Sequence, residues 1–427
     1  SCQRDSYMDE LKRELNEYPL RIRNILIKLI AAVIIGVACG LLGAAFNISV
    51  KFAQSTRNEH PWLLFFLPLA GLLITAIYKI TRAEGEGTDS VVKAAQSGEL
   101  KSMLLIPAIF AGTFLTHLTG GSAGREGAAL QMGGQAGFYV SGLFRAGREF
   151  KRTCVIAGMA ALFSALFGTP VAATVFAMEV VHVGLVVYSD FLPTFVASVT
   201  AYLISGALFE GDESFAVTSP ELSFIILLKV LLLGAMCAVP TIMFCQSLHI
   251  GEHLIEKYLK NPWIRVVAGG IVIIAITLLY GSQRYSGTGM DVIAVAIEEG
   301  EALPWDWIMK ILLTAITLGT GYRGGEVVPS LFIGATFGCV AGPLLGLPAG
   351  FSAAVGLTAV FCGCSNCMLA TVFLCLELFG VGSLFQYAVA ACAVNYILSG
   401  HVGFYRAQGL LVEDVDPNTI DHMRHPF

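Results

Sequence analysis

Charged residues are scarce in this chain, and their scarcity sets the first limit on what the protein can be. Of the 427 residues, 13% are Asp, Glu, Lys or Arg and 56% are hydrophobic. A soluble domain carries roughly 25% charged residues. The composition therefore excludes an ordinary water-soluble globular protein and indicates a chain that is solvated mainly by lipid.

Signs of a secreted or cofactor-binding protein are missing as well. The 11 cysteines are odd in number and most lie inside apolar runs, which argues against a disulfide framework. Charge is spread through the first segment and no small-residue cleavage site follows the apolar run behind it, so no cleavable signal is expected. We expect no catalytic residue, no cofactor, no metal and no nucleic-acid partner.

Long apolar runs are what the chain has instead, and about ten of them reach the roughly 17–25 residues that cross a bilayer. The clearest lie at residues 27–46, 62–78, 103–119, 171–187, 224–244 and 266–280. Shorter runs, interrupted by glycine, lie at 120–134 and 319–334. The pattern predicts an all-α membrane protein with many spans.

Basic residues are concentrated at two places beside these runs, and both clusters predict a cytoplasmic position. The first precedes the first span and the second lies in a loop: Arg4, Lys12, Arg13, Arg21, Arg23, Lys28; Arg145, Arg148, Lys151, Arg152. We interpret residues 1–26 as a cytoplasmic N-terminal amphipathic segment next to the membrane.

The two halves of the chain resemble each other. Residues 85–91 (GEGTDSV) align with 287–293 (GTGMDVI), and residues 124–134 (GREGAALQMGG) align with 324–334 (GGEVVPSLFIG). Residues 173–176 and 370–373 share the string ATVF, and a glutamate follows each, at Glu179 and Glu377. The matched residues lie 202 (291 − 89), 200 (326 − 126) and 198 (377 − 179) positions apart. Three matches in one order indicate an internal duplication.

We place the first membrane repeat at 27–212, the second at 222–410, and a short tail at 411–427, with the charged stretch 210–221 as linker. Transporters with such repeats often relate them by inverted topology, and their site lies where broken helices meet near the midplane. The glycine-rich stretches 120–127 and 319–325 are therefore the predicted meeting place. Two helix starts that face each other there would bind an anion through free N–H groups, without a lysine.

Ionisable residues at membrane depth are functional candidates, because burying one costs at least roughly 2.5–3.5 kcal/mol. Glu126 and Glu326 lie in the two central stretches. As a carboxylate, Glu126 would compete with an anion for the same N–H groups, and protonation would release it, so we predict that it is the gate. Helix capping is the alternative for both. For Glu179 and Glu377, acceptance of N–H bonds from a neighbouring helix break is favoured.

Two short motifs suggest other chemistry. His249, Glu252 and His253 match the inverted zinc-protease pattern H-x-x-E-H, but no third ligand is evident and a solvated helix end is favoured. Cys364 and Cys367 resemble a redox or metal pair, but apolar sequence flanks them, so small packed side chains are favoured.

The motifs in both halves resemble those of the CLC family of chloride channels and anion/proton antiporters. Residues 124–127 (GREG), followed by Gln131, match the family signature G-R-E-G-x-x-x-Q. Residues 324–329 (GGEVVP) resemble the loop G-G-x-F-x-P, and residues 403–405 (GFY) resemble the segment that carries the central tyrosine, here Tyr405. The resemblance covers roughly residues 25–410 and implies a homodimer with one pore per subunit.

Departures from the chloride pattern resemble the fluoride-exporting branch of the family. Residues 85–89 (GEGTD) lack the serine and proline of the usual G-S-G-x-P, and Glu326 with Val327 replaces an aliphatic residue and phenylalanine. Thr88 is the candidate for the anion site, with Glu86 as its rival. Val180 stands where chloride exchangers carry an inner glutamate, which leaves the proton route open.

The resemblance implies a fluoride/proton antiporter in the cell membrane, with a cytoplasmic N-terminus, that exports fluoride as protons enter. Chloride/proton exchange or a chloride channel is the main alternative, and a membrane metallohydrolase is a distant one. Glu126 is the predicted gating and proton-coupling residue. The predicted anion-binding residues are Thr88, Gly124, Arg125, Gly127, Gly325, Glu326, Val327 and Tyr405.

Overall fold

A computed structural model describes residues 2–99, 104–144, 147–183, 186–209, 214–400 and 402–410, with the side chains of the first helix described from residue 22. The predicted tail at 411–427, part of the predicted linker and Arg145 lie outside the described residues. Within the described part, seven helices are long and apolar enough to cross a membrane. The predicted all-α membrane fold is therefore confirmed.

The helices of the first half are α1 (Cys2–Glu59), α2 (Leu67–Ile80), α3 (Thr88–Ser97), α4 (Leu105–Leu118), α5 (Glu126–Gly142), α6 (Arg148–Phe167), α7 (Pro170–Glu179) and α8 (Phe191–Leu208). Short 3-10 helices cover Pro61–Phe66 and Tyr188–Asp190.

Those of the second half are α9 (Phe224–Tyr258), α10 (Pro262–Tyr280), α11 (Met290–Ala294), α12 (Asp306–Gly319), α13 (Val327–Leu344), α14 (Ala349–Ser365), α15 (Met368–Phe379) and α16 (Ser383–Ser399). A five-residue π-helix, Val295–Glu299, continues α11.

The two halves repeat one arrangement of helices. Gly87 precedes α3 and Gly289 precedes α11, which is the spacing of 202 positions found in the sequence. The helices α5 and α13 both begin at the central glutamates. Equivalent helix pairs, α5 with α6 and α13 with α14, form the two most extensive contacts in the molecule.

Glycine permits the close approach within both of these pairs. A Cβ at Gly158 would lie 2.0 Å from the carbonyl oxygen of Gly133, and one at Gly356 would lie 2.3 Å from that of Gly334. Both distances are far too short for a real side chain, so the backbones touch. The same device in both halves is an independent structural sign of duplication.

Of the seven membrane-length helices, α6 and α13 lie at the centre of the fold. In their most apolar stretches, 83% and 78% of the residues are buried inside the protein. The corresponding values for α1, α2, α8, α9 and α10 lie between 28% and 39%, so these helices present most of their apolar surface outward. Shorter helices, including α5, α7 and α15, pack among the central ones and carry the chain inward rather than across.

One predicted span was wrong. The segment predicted at 1–26 stays a prediction, and from Cys2 onward its residues belong to α1, which runs without interruption to Glu59. Helix-favouring residues dominate this stretch, and the helix continues through Pro19. The span predicted at 171–187 stops at Glu179, and His182–Val183 forms a short strand, β1.

A two-stranded parallel pair fixes the C-terminal segment. Strand β1 pairs with β2, Gly409–Leu410, in the register His182 with Gly409. The amide of Gln96 donates to the carbonyl oxygens of both Val181 and Ala407, at 2.9 and 2.8 Å. These bonds hold the stretch that contains Tyr405 against the first half.

Candidate functional site

The two glycine-rich stretches meet through their backbones. Gly124 N–H donates to Gly325 O at 2.6 Å, and Gly325 N–H donates to Gly124 O at 2.7 Å, as in an antiparallel bridge. The pairing is reciprocal and joins Gly124 to the residue after its counterpart Gly324, so the two central stretches run antiparallel to each other here. The predicted meeting of broken helices is therefore observed.

Glycine is required at this junction. A Cβ at Gly325 would lie 2.4 Å from the amide nitrogen of Gly127 and 3.2 Å from that of Glu126. Any side chain would push apart the first turns of α5 and α13. With glycine on both sides, the N-terminal ends of the two helices face the same small volume, and their N–H groups and dipoles favour an anion there.

Glu126 is the first residue of α5 and is completely buried. Its Oε2 accepts a hydrogen bond from the backbone N–H of Arg125 at 2.9 Å, and its Oε1 lies 3.3 Å from Arg125 Nε. The carboxylate thus folds back over the helix start that carries it. It occupies the N–H of Arg125, a donor at the helix start.

Arg125 extends away from the second half. Its Nη1 donates to the side-chain oxygen of Asn47 on α1, and its guanidinium forms an ion pair with Glu126. The side chain is nearly buried, at 5% exposed. This geometry makes Arg125 a partner of the Glu126 carboxylate, and its predicted contact with the anion stays a prediction.

Thr88 lies at the first position of α3 and faces the junction. Its Oγ1 accepts a hydrogen bond from the side-chain amide of Gln131 at 3.0 Å, which leaves its own O–H free to donate elsewhere. A Cβ at Gly127 would lie 3.4 Å from Thr88 Oγ1 and 3.2 Å from Glu326 Oε2. Thr88, Gly127 and Glu326 therefore surround one point.

Tyr405 completes this cluster from the C-terminal segment. Its side chain is buried at 5% exposed, and its hydroxyl interacts with the carboxylate of Glu326 without a hydrogen bond of normal length to any described residue. The segment is held in place by Phe404 N–H, which donates to Cys364 O at 2.8 Å, and by Ala407 N–H, which donates to Asp89 at 3.1 Å. A buried, underused hydroxyl is a suitable anion donor.

A cavity of about 370 Å³ leads to this cluster, and we call it the Thr88 cavity. Its polar lining includes Thr88, Asp89, Lys93, His249, Glu252, Glu326, Tyr405 and Arg406. Glu126 is not among the lining residues, so its carboxylate does not reach this cavity, whereas Glu326 forms part of the cavity wall.

Most of the predicted anion-site residues are brought together. Gly124, Gly127, Gly325, Glu326, Thr88 and Tyr405 surround the junction. Val327 begins α13 and is fully buried beside it. The rival candidate Glu86 lies before α3 and does not line the Thr88 cavity; its carbonyl oxygen accepts a hydrogen bond from Arg323 at 3.3 Å.

Glu179 and Glu377 cap each other's helices across the two halves. Glu377 accepts the backbone N–H groups of Val171 and Ala172 at 2.9 and 2.8 Å. Glu179 accepts those of Leu369 and Ala370 at 3.1 and 2.8 Å. The predicted role as acceptors at a neighbouring helix start is confirmed.

The two other motifs are occupied by protein contacts. His249 lies 2.7 Å from Gly403 O through Nε2, and its Nδ1 accepts a hydrogen bond from Arg406 at 3.1 Å. Among the described residues, no group of three His, Cys, Asp or Glu side chains is arranged for a metal. Cys364 and Cys367 are free and buried, like the other described cysteines.

Sequence reasoning missed two polar residues that support this region. Asn47 lies in the middle of α1 and contacts Arg125. Lys310 lies in α12, fully buried, and donates to the carbonyl oxygens of Tyr285 and Gly287 at 3.2 and 2.7 Å. The criterion that found Glu126, an ionisable group at membrane depth, would also have found Lys310.

Comparison with known proteins agrees with this geometry. A sequence model of the family described as voltage-gated chloride channel matches residues 70–400. A chloride/fluoride channel protein of Pseudomonas syringae pv. tomato is 32% identical over 384 residues, which cover 88% of this chain and 84% of that protein. An H⁺/Cl⁻ exchange transporter of Vibrio campbellii is 27% identical over 394 residues, covering 82% and 81%.

Among solved structures, a CLC-type fluoride/proton antiporter superposes with a TM-score of 0.87. Its sequence is 31% identical, and the match covers 90% of this chain and 98% of that one.

Proposed function

Since the chain belongs to the voltage-gated chloride channel family, we propose that this multi-span membrane protein exports fluoride from the cytoplasm in exchange for protons that move inward. The observation that carries the proposal is the buried Glu126 at the paired Gly124–Gly325 junction. Burial of a carboxylate at membrane depth is costly, which makes Glu126 a functional candidate.

The gate works by exclusion. As a carboxylate, Glu126 occupies the N–H donors at the start of α5 and leaves no room for a second anion. When it takes up a proton it loses its charge, releases those donors and moves aside, and the anion takes its place. Return of the carboxylate releases the proton and displaces the anion, so proton movement is coupled to anion movement.

The anion is held by neutral donors. The Thr88 O–H is free to donate because its oxygen accepts from Gln131, and the Tyr405 hydroxyl has no normal-length partner among the described residues. Backbone N–H groups of the two helix starts add to them. Such a site binds a small anion without a neutralising cation and can therefore release it again.

Fluoride is proposed as the substrate for two reasons. The relative that is 32% identical is named a chloride/fluoride channel protein, and the structure with a TM-score of 0.87 is titled a fluoride/proton antiporter. In addition, Glu326 lines the Thr88 cavity and stands where the chloride pattern has an aliphatic residue, a departure that resembles the fluoride-exporting branch. Hydrogen fluoride crosses lipid as a neutral acid and dissociates inside, so its ion needs an exit.

Chloride/proton exchange is the second candidate. The Vibrio campbellii relative is named an H⁺/Cl⁻ exchange transporter, although its identity of 27% is lower. Val180 is buried where the resemblance implies an inner glutamate in chloride exchangers, which favours fluoride. We propose that protons instead reach the junction through the Thr88 cavity, whose wall includes the half-buried Glu326.

We further propose a homodimer in the cell membrane, with the start of α1 in the cytoplasm. The end of α1 then lies outside, and α2 returns the chain inward. On this path the Thr88 cavity opens to the cytoplasm. Thr88, Gly124, Arg125, Gly127, Gly325, Glu326, Val327 and Tyr405 are the proposed anion-site residues.

Flux measurements with purified protein in liposomes test the proposal. We expect fluoride to leave loaded vesicles much faster than chloride, and an imposed fluoride gradient to drive protons in the opposite direction. Chloride flux that equals or exceeds fluoride flux would favour the second candidate. Vesicles that pass neither halide would refute both.

The variant Glu126→Gln tests the gate. Glutamine has nearly the same shape but does not take up a proton at neutral pH, so proton movement should fall to the background while a passive anion flux remains. Glu377→Gln is the matched control, because this glutamate also lies among the helices but caps α7. Coupled proton uptake that persists in Glu126→Gln, or is lost equally in the control, would contradict the assignment.

A further inference from the structure

A second polar cavity, of about 210 Å³, lies where α1 ends, and we call it the Arg57 cavity. It is lined by Gln54 and Arg57 of α1 and by residues of the stretch 283–291. The Thr88 cavity is lined by α9 and by the stretch 85–90. The two cavities therefore occupy equivalent places in the two halves, on opposite sides of the Gly124–Gly325 junction.

Arg57 is an unusual residue for the wall of a cavity. Its side chain is buried at 6% exposed, and its Nε–H has no hydrogen-bond partner among the described residues. Its terminal nitrogens donate only to neutral oxygens, those of His117 at 3.4 Å and Asn58 at 3.1 Å. No described carboxylate lies within ion-pair distance of it, so this charge is not neutralised by a direct contact. Asp291 attracts Arg57 only through space, and burial of a cation that lacks a direct ion pair is costly.

The other charges around the cavity reinforce this positive potential. Lys310 is fully buried behind the same stretch, bonded only to carbonyl oxygens there, and its Nζ would lie 3.5 Å from a Cβ at Gly289. Arg284 is paired with the buried Asp306 at 2.9 Å, so that pair cancels. Asp291 is the one carboxylate among the lining residues and is exposed at the rim.

The cavity also reaches the gate segment. Gly287 N–H donates to Gly121 O at 2.8 Å, and a Cβ at Gly120 would lie 3.6 Å from Ser286 Oγ and 3.7 Å from Arg57 Cδ. Gly120 and Gly121 begin the stretch that ends at Glu126. An anion released past Glu126 toward this side would therefore meet Arg57 next.

We propose that the Arg57 cavity is an anion-binding subsite on the outer side of the protein, and that Arg57 binds a small monovalent anion there before it leaves or after it enters. This inference rests on the proposed function and deepens it. Neutral polar groups complete the subsite: the Thr288 O–H can donate because its oxygen accepts from Gln54 at 3.1 Å.

Membrane vesicles of known sidedness test the subsite. Right-side-out and inside-out vesicles from cells that express the full chain present opposite faces to added sodium fluoride, and the concentration for half-maximal flux is measured at each face. Arg57→Gln should raise it by about tenfold or more at the outer face, the loss expected for one hydrogen bond to a charged group, and leave it unchanged at the inner face. Arg57→Lys, which keeps the charge, should remain within about twofold of the wild type.

Two further variants keep the test decisive. Asp291→Asn removes the exposed rim carboxylate and should lower the outer half-maximal concentration by about twofold, opposite in sign to Arg57→Gln. Lys79→Gln removes one positive charge from an exposed position that lines neither cavity and should change neither face.

The outcomes separate the two proposals. Wild-type vesicles that carry no halide would refute the proposed function. Wild-type vesicles that carry fluoride, with Arg57→Gln and Asp291→Asn unchanged at the outer face or altered equally at both faces, would refute only the subsite.

Discussion

At the scale of single residues, the site combines two carboxylates whose surroundings differ. Glu126 is sealed at a helix start and bonded to the backbone of Arg125, whereas Glu326 opens to the Thr88 cavity beside Tyr405. Both glutamates were identifiable in the sequence because an acid at membrane depth is costly. The difference between their surroundings was not identifiable, since it depends on which side of the junction the start of each helix faces.

Tyr405 yields a prediction at this scale. Tyr405→Phe should change the free energy of unfolding by less than about 0.5 kcal/mol, because the hydroxyl makes no hydrogen bond of normal length to a described residue. It should weaken fluoride binding by about tenfold, since an anion loses one donor. Thermal unfolding in detergent and half-maximal fluoride flux measure the two effects.

Tyr387→Phe is the matched control for this experiment. The Tyr387 hydroxyl donates to Glu221 O and accepts from Ser223 N–H, both at 2.8 Å, and none of these three residues lines the Thr88 cavity. This variant should lose stability and keep its fluoride affinity. If Tyr405→Phe behaves like Tyr387→Phe, the Tyr405 hydroxyl is structural and its assignment to the anion site is wrong.

At the scale of elements, short helices are stabilised by acids from the opposite half. The helix α7 has 10 residues and α15 has 12, too few to cross a bilayer. Their first N–H groups lie among other helices, where an unpaired donor is costly, and Glu377 and Glu179 accept them. Apolar composition alone predicted one long span at 171–187, because hydropathy does not register a helix that stops inside the protein.

Removal of one cap should be measurable. Glu377→Ala leaves the N–H groups of Val171 and Ala172 without their acceptors and should lower the free energy of unfolding by about 1–3 kcal/mol. Glu179→Ala should have a similar effect for the same reason. The midpoint of thermal unfolding in detergent is the measurement.

Glu298→Ala provides the comparison for both cap variants, because Glu298 is exposed and its loss should leave the midpoint unchanged. The proton-to-fluoride ratio of the cap variants should equal that of the wild type wherever they fold. A changed ratio at unchanged stability would mean that these glutamates belong to the proton path.

At the scale of the whole molecule, each chain contains a complete junction. Both helix starts, both glutamates, Thr88 and Tyr405 come from one chain. The outer helices, such as α8 and α9, expose most residues of their apolar stretches at the protein surface. Such a surface suits contact with lipid or with a second copy. We therefore expect the two subunits of the proposed dimer to work independently.

Mixed dimers test this independence. Dimers with one wild-type subunit and one Glu126→Gln subunit, purified through two different tags, should carry about half of the coupled proton flux of the wild type, because each subunit contributes its own pore. Wild-type and Glu126→Gln homodimers are the references. Full coupling, or none, in the mixed dimer would show that the subunits share one gate.

The sequence by itself determined that this protein lies mainly in lipid, that it is helical, that its halves are duplicated and that its central stretches carry glutamates. These properties are local: composition and run length report what surrounds a segment, and repeated motifs report ancestry. Only the tertiary structure decided which distant groups meet. The pairing of Gly124 with Gly325, the position of Thr88 beside Glu326, the cross-capping by Glu179 and Glu377, and the burial of Arg57 against the stretch 283–291 all join segments far apart in the chain. Such contacts arise from packing geometry, which no single segment encodes.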